Sequence, residues 1–319
     1  MVTISILIAT YNRAGLLDEC LTHLERQTFE AGDEVIIVNN GSTDQTAAIL
    51  ARRQHTFRVP VRVIDEPRPG KSWALSRGIA VATGDVLAFT DDDVDVADDW
   101  LVAIRRAMSD PSVALVGGPV APRWQDRAPA WLRVGSDGYD RLAAPLALLD
   151  YGREPMPLGA RTAIGANLAV RRAVVAEVGG FVPQLGKLRG TLLSGEDHEF
   201  CQRVRAAGFN TVYCPSARVV HWVPANRTTL RYILAWFFWS GVTHAALELD
   251  KLQSRTAFGI PAYVIRRFGA GVFGAFAAFG TGDRRRATER TVDAAFAAGY
   301  AAARWGLIAV DLPAGVQPA

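Results

Sequence analysis

Ile4 to Ala9, Glu34 to Val38 and Val86 to Thr90 are short apolar runs, β-branched in part, with amphipathic stretches between the first two and after each of the others. Runs of this length bounded by polar clusters read as buried strands, and their alternation with helical periodicity predicts βαβ units. The expected fold is α/β, a mostly parallel sheet with helices on its faces, whose ligand crevice lies beyond the carboxyl ends of the strands. Polar residues fall where that rule puts them. Thr10-Tyr11-Asn12-Arg13 follows the first run, Asn39-Asn40-Gly41-Ser42-Thr43-Asp44 the second, and Asp91-Asp92-Asp93 the third.

From Pro119 to Pro157 the periodicity weakens, interrupted by Pro122, Pro129, Pro145, Pro155 and Pro157 alongside Trp124, Trp131 and Tyr139, which predicts a loop-rich segment over the crevice. Ala163 to Val170 and Thr211 to Val220 read as further strands, and a helix is expected from Asp197 to Ala207, stopped by Gly208. After Pro224 the pattern turns helical, over Thr228 to Leu249 and Ala257 to Val310. This divides the chain into residues 1–224, expected to carry the chemistry, and a helical extension, 225–319.

Of 319 residues, 50% are hydrophobic and 21% charged, the balance of a globular protein with a sizeable core. A net charge of only +3 disfavours a nucleic-acid partner. Cys20, Cys201 and Cys214 form no C-x-x-C pair, so a reducing, cytoplasmic setting is expected, and Val2 to Ala9 lacks the flanks of a signal peptide. Phe268 to Gly280 is uncharged but short of a full span, and Arg266-Arg267 before it with Arg284-Arg285-Arg286 after it resemble the flanks of an interfacial segment. From Lys251 onward nine basic residues face four acidic ones. Two readings stay open: peripheral contact with the inner face of the plasma membrane, or a helical bundle packed on the first domain or forming a homodimer.

Gly70-Lys71-Ser72 has the tail of a P-loop, but Asp65 stands where its first glycine belongs and Pro67 and Pro69 remove two N–H donors. Lys71 remains as a point charge near an anion. No G-x-G-x-x-G follows the first strand, which removes the main support for a nicotinamide or flavin enzyme. Three adjacent carboxylates at Asp91-Asp92-Asp93 repel unless a cation neutralises them, and Mg²⁺ or Mn²⁺ shared with substrate phosphates answers that need. The competing reading is a solvated turn capping the next helix. Glu196 and Asp197 follow Gly195 at a helix start, where they serve either as a general base or, through Ser194 and Asp197, as a capping box. His221 closes the apolar run from Val212 and stands as a metal ligand or a structural histidine.

Together, Ile8 to Arg13, Val38 to Asp44, Gly70 to Asp93, Gly165-Ala166-Asn167, Gly179-Gly180-Phe181 and Gly195-Glu196-Asp197 resemble family 2 nucleotide-sugar glycosyltransferases of the GT-A fold, from about Val2 to Trp222. The resemblance implies that Thr10, Tyr11, Arg13 and Asn39 line the nucleotide pocket with Lys71, Asp91, Asp92 and Asn167, and that Asp93 and His221 hold the metal. It implies Asp197 as catalytic base beside Glu196, acting in one inverting displacement. Where relatives usually present an aspartate, Asn39 offers an amide, which can accept from uracil N3–H but also donate. The donor expected is a nucleoside-diphosphate sugar, a UDP-sugar first, and the acceptor a glycan or lipid-linked hydroxyl in polysaccharide, glycolipid or other glycoconjugate synthesis. Alternatives are a non-catalytic sugar- or membrane-binding module of this fold, which the intact acids oppose, and a sugar nucleotidyltransferase, which lacks its glycine-rich loop here.

Overall fold

A computed structural model describes residues 2–128, 141–186, 191–247 and 256–310; Pro129, Trp131, Tyr139 and Lys251 lie outside the described residues. The strands are β1 (Ile4–Thr10), β2 (Glu34–Asn39), β3 (Val61–Asp65), β4 (Val86–Asp91), β5 (Val94–Val96), β6 (Val113–Gly117), β7 (Val120–Trp124), β8 (Met156–Pro157), β9 (Asn167–Arg171), β10 (Asn210–Tyr213), β11 (Val219–Val223), β12 (Thr256–Ala257) and β13 (Ile260–Pro261). The helices are α1 (Ala14–Glu25), α2 (Thr46–Arg53), α3 (Lys71–Ile79), α4 (Trp100–Ala107), α5 (Arg172–Val178), α6 (Glu196–Ala206), α7 (Leu230–Ala246), α8 (Ala262–Gly280) and α9 (Arg284–Arg304).

The main sheet has the order β3-β2-β1-β4-β9-β6-β10-β8. β1 runs parallel to β2 and β4, β2 to β3, and β6 to β10, while β9 runs antiparallel to both β4 and β6. Ile4, Ile6, Leu7 and Ile8 of β1 and Val35 to Val38 of β2 are buried whichever way they point, as expected of parallel strands covered by helices on both faces. A second sheet, β5-β11-β7, stands at the carboxyl end of β4.

Among the described residues, seven strands that the apolar pattern did not mark are present, β3, β5, β6, β7, β8, β12 and β13, the last two at the start of the stretch expected to be helical from Ala257. β3 is an edge strand whose Arg62 and Val63 are exposed, so its sequence carries little apolar signal, and β6 lies inside the sheet. The strand expected over Thr211 to Val220 is two: the chain leaves the main sheet after Tyr213 at Cys214-Pro215 and re-enters the second sheet at Val219. His221 therefore sits in the middle of β11 and not at a strand end. The strand expected from Ala163 begins only at Asn167.

In the C-terminal layer α9 packs against both α7 and α8. Gly241 of α7 and Gly299 of α9 let the backbones meet, because a Cβ on Gly299 would lie 1.8 Å from the Phe238 carbonyl oxygen. α7 shares an apolar cluster with residues 141–148 through Leu142, Leu146, Ile233, Phe237 and Val292, separate from the core of the main sheet. Buried Asp293 of α9 ties the layer together, accepting from Arg141 at 2.6 Å and Arg267 at 2.7 Å.

Candidate active site

The carboxyl ends of β1, β2 and β4 are brought level by register: Thr10 faces Asn39, and Ala9 faces Asp91. The repulsion within Asp91-Asp92-Asp93 is met by the protein's own cations. Lys71 Nζ pairs with Asp91, and Arg13 Nη1 reaches Asp92 Oδ1 at 2.7 Å and Asp93 Oδ2 at 2.6 Å. Arg227 Nη2 stands 3.9 Å from Asp93 Oδ2, and His221 Nε2 lies 3.5 Å from Asp93 Oδ1. Nothing in the sequence marked Arg227; the short turn after β11 delivers it.

These contacts set the protonation of the cluster. Burial pushes Asp92 up to about 6, against the charge of Arg13 and with that of Asp93. Burial acts on Asp93 in the same direction, but His221, Arg13 and Arg227 outweigh it and hold Asp93 well below the usual carboxylate range. For Arg13 and Lys71 burial opposes the charge, and the neighbouring aspartates overcome it, so both are held cationic.

Asp93 Oδ1 and His221 Nε2 are one carboxylate oxygen and one imidazole nitrogen of the kind that suits a divalent cation; the second carboxylate oxygen is taken by guanidinium groups, and Arg227 Nη1 also stands 3.4 Å from His221 Nε2 and would have to yield it. Adjacent ligands of an octahedral Mg²⁺ stand about 3 Å apart, close to the separation seen here. Among the described residues no group of three or more His, Cys, Asp or Glu side chains is placed to hold a metal alone, so further donors have to come from substrate or water.

Lys71 is placed by its own loop. Asn40 donates to the carbonyls of Glu66 at 2.8 Å and Arg68 at 2.7 Å and accepts from Gly70 N–H at 2.9 Å, and Gly70, at φ 131°, turns the chain into α3. Asn39 is equally committed: it donates to Asp65 Oδ1 at 3.0 Å and accepts from Ser42 N–H at 3.0 Å. Asp65, which the sequence reading did not select as a site residue, ends β3 in register with Asn39. Tyr11 is exposed at the rim.

Across the crevice, Gly195 at φ 123° starts α6. The capping box expected from Ser194 is not formed; its carbonyl instead accepts from Thr243 Oγ1 at 2.9 Å. Asp197 Oδ1 accepts from His198 N–H at 2.8 Å and its Oδ2 from Gly165 N–H at 3.2 Å, while Glu196 Oε2 accepts from Gly195 N–H at 3.0 Å. A cavity of about 840 Å³ joins Lys71, Asp91, Glu196 and Asp197 to Trp236 and Thr243 of α7. His198, read from sequence as structural, borders this cavity, bonds Thr162 Oγ1 at 2.7 Å, and is lowered below its usual range by burial.

Asn167 departs from expectation. It is 2% exposed, donates to the carbonyls of Pro119 at 2.9 Å and Ala217 at 2.7 Å, and accepts from Trp100 Nε1 at 2.9 Å. Its amide pins three segments together and leaves no group for a donor nucleotide. A more open concavity of about 830 Å³ between Val2, Arg105 and Arg171 lies at the opposite edge of the sheet, away from the acids described above.

A sheet of this topology with acids gathered beyond its carboxyl edge is the architecture of a GT-A glycosyltransferase. The chain belongs to glycosyl transferase family 2, whose model matches residues 5–179, and it is a glycosyltransferase. It is 26% identical over 257 residues to the glucosyl-dolichyl phosphate glucuronosyltransferase of Haloferax volcanii, covering 77% of each chain. It is 28% identical over 264 residues to the succinoglycan biosynthesis protein ExoM of Rhizobium meliloti, covering 81% of this chain and 79% of that one. The fold matches that of the mannosyltransferase PcManGT from Pyrobaculum calidifontis, solved in complex with GDP-Man and Mn²⁺, with TM-score 0.62 and 20% identity over 95% of this chain and 87% of that one.

Proposed function

We propose that this glycosyltransferase moves a sugar from a nucleoside-diphosphate donor to an acceptor hydroxyl with inversion at the anomeric carbon, using residues 1–224 as its catalytic domain and 225–319 as a helical extension. The observation that carries the reading is the single cavity in which Asp91 and Lys71 face Glu196 and Asp197. Thr10, Tyr11, Arg13, Asn39, Asp91 and Asp92 line the nucleotide side, with Asp65 as the carboxylate partner of the Asn39 amide.

Asp93 and His221 are the residues that would hold Mg²⁺ or Mn²⁺. When bound, the cation supplies electrostatic stabilisation of the negative charge that develops on the departing diphosphate. Lys71 and Arg13 add fixed positive charge on the same side, already held in place by the aspartates and so needing no rearrangement. Asp197, at the start of α6 and accepting from the N–H groups of His198 and Gly165, takes the proton of the acceptor hydroxyl as that oxygen attacks from the face away from the diphosphate. Trp236 and Thr243 of α7 wall the acceptor side.

The donors of first choice are UDP-sugars, with GDP-sugars next because Asn39 presents an amide. The acceptor is a glycan or lipid-linked hydroxyl, in line with the named relatives. Cys20, Cys201 and Cys214 are buried free thiols, which supports a reducing, cytoplasmic setting. Asp197→Asn is expected to abolish transfer while donor affinity stays within a few-fold, because the base acts on the acceptor in the transition state. If Glu196→Gln is inactive and Asp197→Asn active, the base is Glu196 and the assignment is wrong.

A further inference from the structure

We propose that the outer face of the C-terminal helical layer docks on an anionic phospholipid bilayer, with α8 lying in the plane of the interface. Among the described residues, all six large apolar side chains that are more than half exposed lie in this layer: Phe258, Phe273, Phe276, Phe279, Trp305 and Leu307. α8 buries Val264, Gly271 and Ala278, a seam repeating every seven residues along α9. At roughly 100° per residue, Ile265, Phe268, Phe276 and Phe279 share a sector about 80° wide whose centre stands about 100° round from that seam, and exposed Phe273 lies about 60° farther on, nearly opposite the seam. A soluble surface seldom carries so continuous an apolar strip unless something covers it.

Charge identifies the occupant. α8 contains no acidic residue. Arg267 is spent inside the layer, on Asp293 at 2.7 Å and over the Phe296 ring at 4.0 Å, and Arg285 pairs with Glu289 at 3.0 Å. Arg266 at one end of the strip and Arg284 and Arg286 at the other are exposed, with no ion pair among the described residues. On the other flank of α8, past Phe273, a groove of about 320 Å³ runs along Gly274 and Ala277 to Arg286 and Arg290. Gly274 makes it possible, since a Cβ there would stand 2.8 Å from Arg290 Cδ. An apolar trough closed by guanidinium groups matches an acyl chain and its phosphate.

A second copy fits less well: with arginines at both ends of the strip, either orientation of a two-fold pairing brings like charges together. A transmembrane span is opposed by the seam, which packs α8 on the helix that carries Asp293 and Arg290. Because α9 contacts both α8 and α7, and α7 walls the cavity, the docked bilayer would stand in fixed relation to the acceptor side. The inference holds whichever sugar or acceptor the enzyme uses.

The test is cosedimentation of the full chain with phosphatidylcholine vesicles, with and without about one third phosphatidylglycerol, at low and high salt. Binding to the anionic vesicles is expected, falling several-fold as the Debye length shrinks from about 10 Å at 0.1 M to about 3 Å at 1 M. The variant Phe273→Ser/Phe276→Ser/Phe279→Ser should lose at least tenfold in partitioning, and Arg284→Gln/Arg286→Gln should lose the preference for anionic lipid. Both should keep the parent circular dichroism spectrum and donor hydrolysis rate, since these side chains are exposed and remote from the acids. Absence of binding to anionic vesicles overturns the proposal. So does binding indifferent to the serine variant, or a parent dimer in light scattering that the serine variant turns into monomer.

Discussion

Replacing Gly299 by alanine tests how the helical layer is built and what it does for the site. The new Cβ would lie 1.8 Å from the Phe238 carbonyl oxygen, whereas a carbon and an oxygen in contact need roughly 3.3 Å, so α7 and α9 must part by about 1.5 Å. The obstructing atom is backbone and cannot swing aside, which puts the cost at the upper end of the ~1–3 kcal/mol usual for overpacking. Alanine returns up to ~1 kcal/mol of helix propensity, leaving a net loss of about 1–2 kcal/mol and, for a chain of 319 residues, a fall in Tm of about 1.5–3 °C. Because Trp236 and Thr243 of α7 wall the cavity, the same displacement should lower transfer by roughly ten- to a hundredfold while donor hydrolysis changes less. The control is Gly269→Ala in α8, where nothing lies within 4 Å of the added Cβ and a gain of ~0.5–1 kcal/mol is expected. A Gly299→Ala protein melting at or above the parent would refute the close approach of the two helices.

Asp93→Ala should abolish the Mn²⁺ dependence of nucleoside-diphosphate binding in calorimetry, and His221→Ala should weaken it less because the carboxylate remains; equal affinity in Asp93→Ala and parent would remove Asp93 from the metal site. Asp65→Ala should free the Asn39 amide and alter the ratio of UDP to GDP affinity by about two- to tenfold, the range of one hydrogen bond, and unchanged competition ratios would deny the pair a part in base selection. Glu66, hydrogen-bonded to Arg68, is lowered to about 2, so the unfolded chain binds the extra proton first and stability falls as pH drops from about 4.5 towards 2. Glu66→Gln should flatten that part of the acid denaturation curve, and superimposable curves would count against the pairing.

Much of the fold was legible because buried parallel strands are written as continuous apolar runs. β1, β2 and β4 each end within one residue of the expected boundary, and α6 begins and ends within one residue of it. β3 was missed because an exposed edge strand need not be apolar, and the split between β10 and β11 was missed because one apolar stretch serves two sheets. Asp91 to Asp93, Glu196 and Asp197 could be singled out since acids next to buried strands or helix starts demand a reason.

What the sequence alone determined was the order of the strands' chemistry: which carboxylates, amides and cations stand just past apolar runs, and hence which edge of the sheet holds them. Tertiary structure decided their partners. Arg227 comes to Asp93 from more than a hundred residues away, Asp65 takes the Asn39 amide across a strand pairing, and Asn167, with the same neighbours in sequence as a ligand residue, is consumed by Pro119, Ala217 and Trp100. Hydrogen bonds and ion pairs act over about 3–4 Å of space whatever the separation along the chain, so only the folded register shows which polar groups are spent and which remain for substrate.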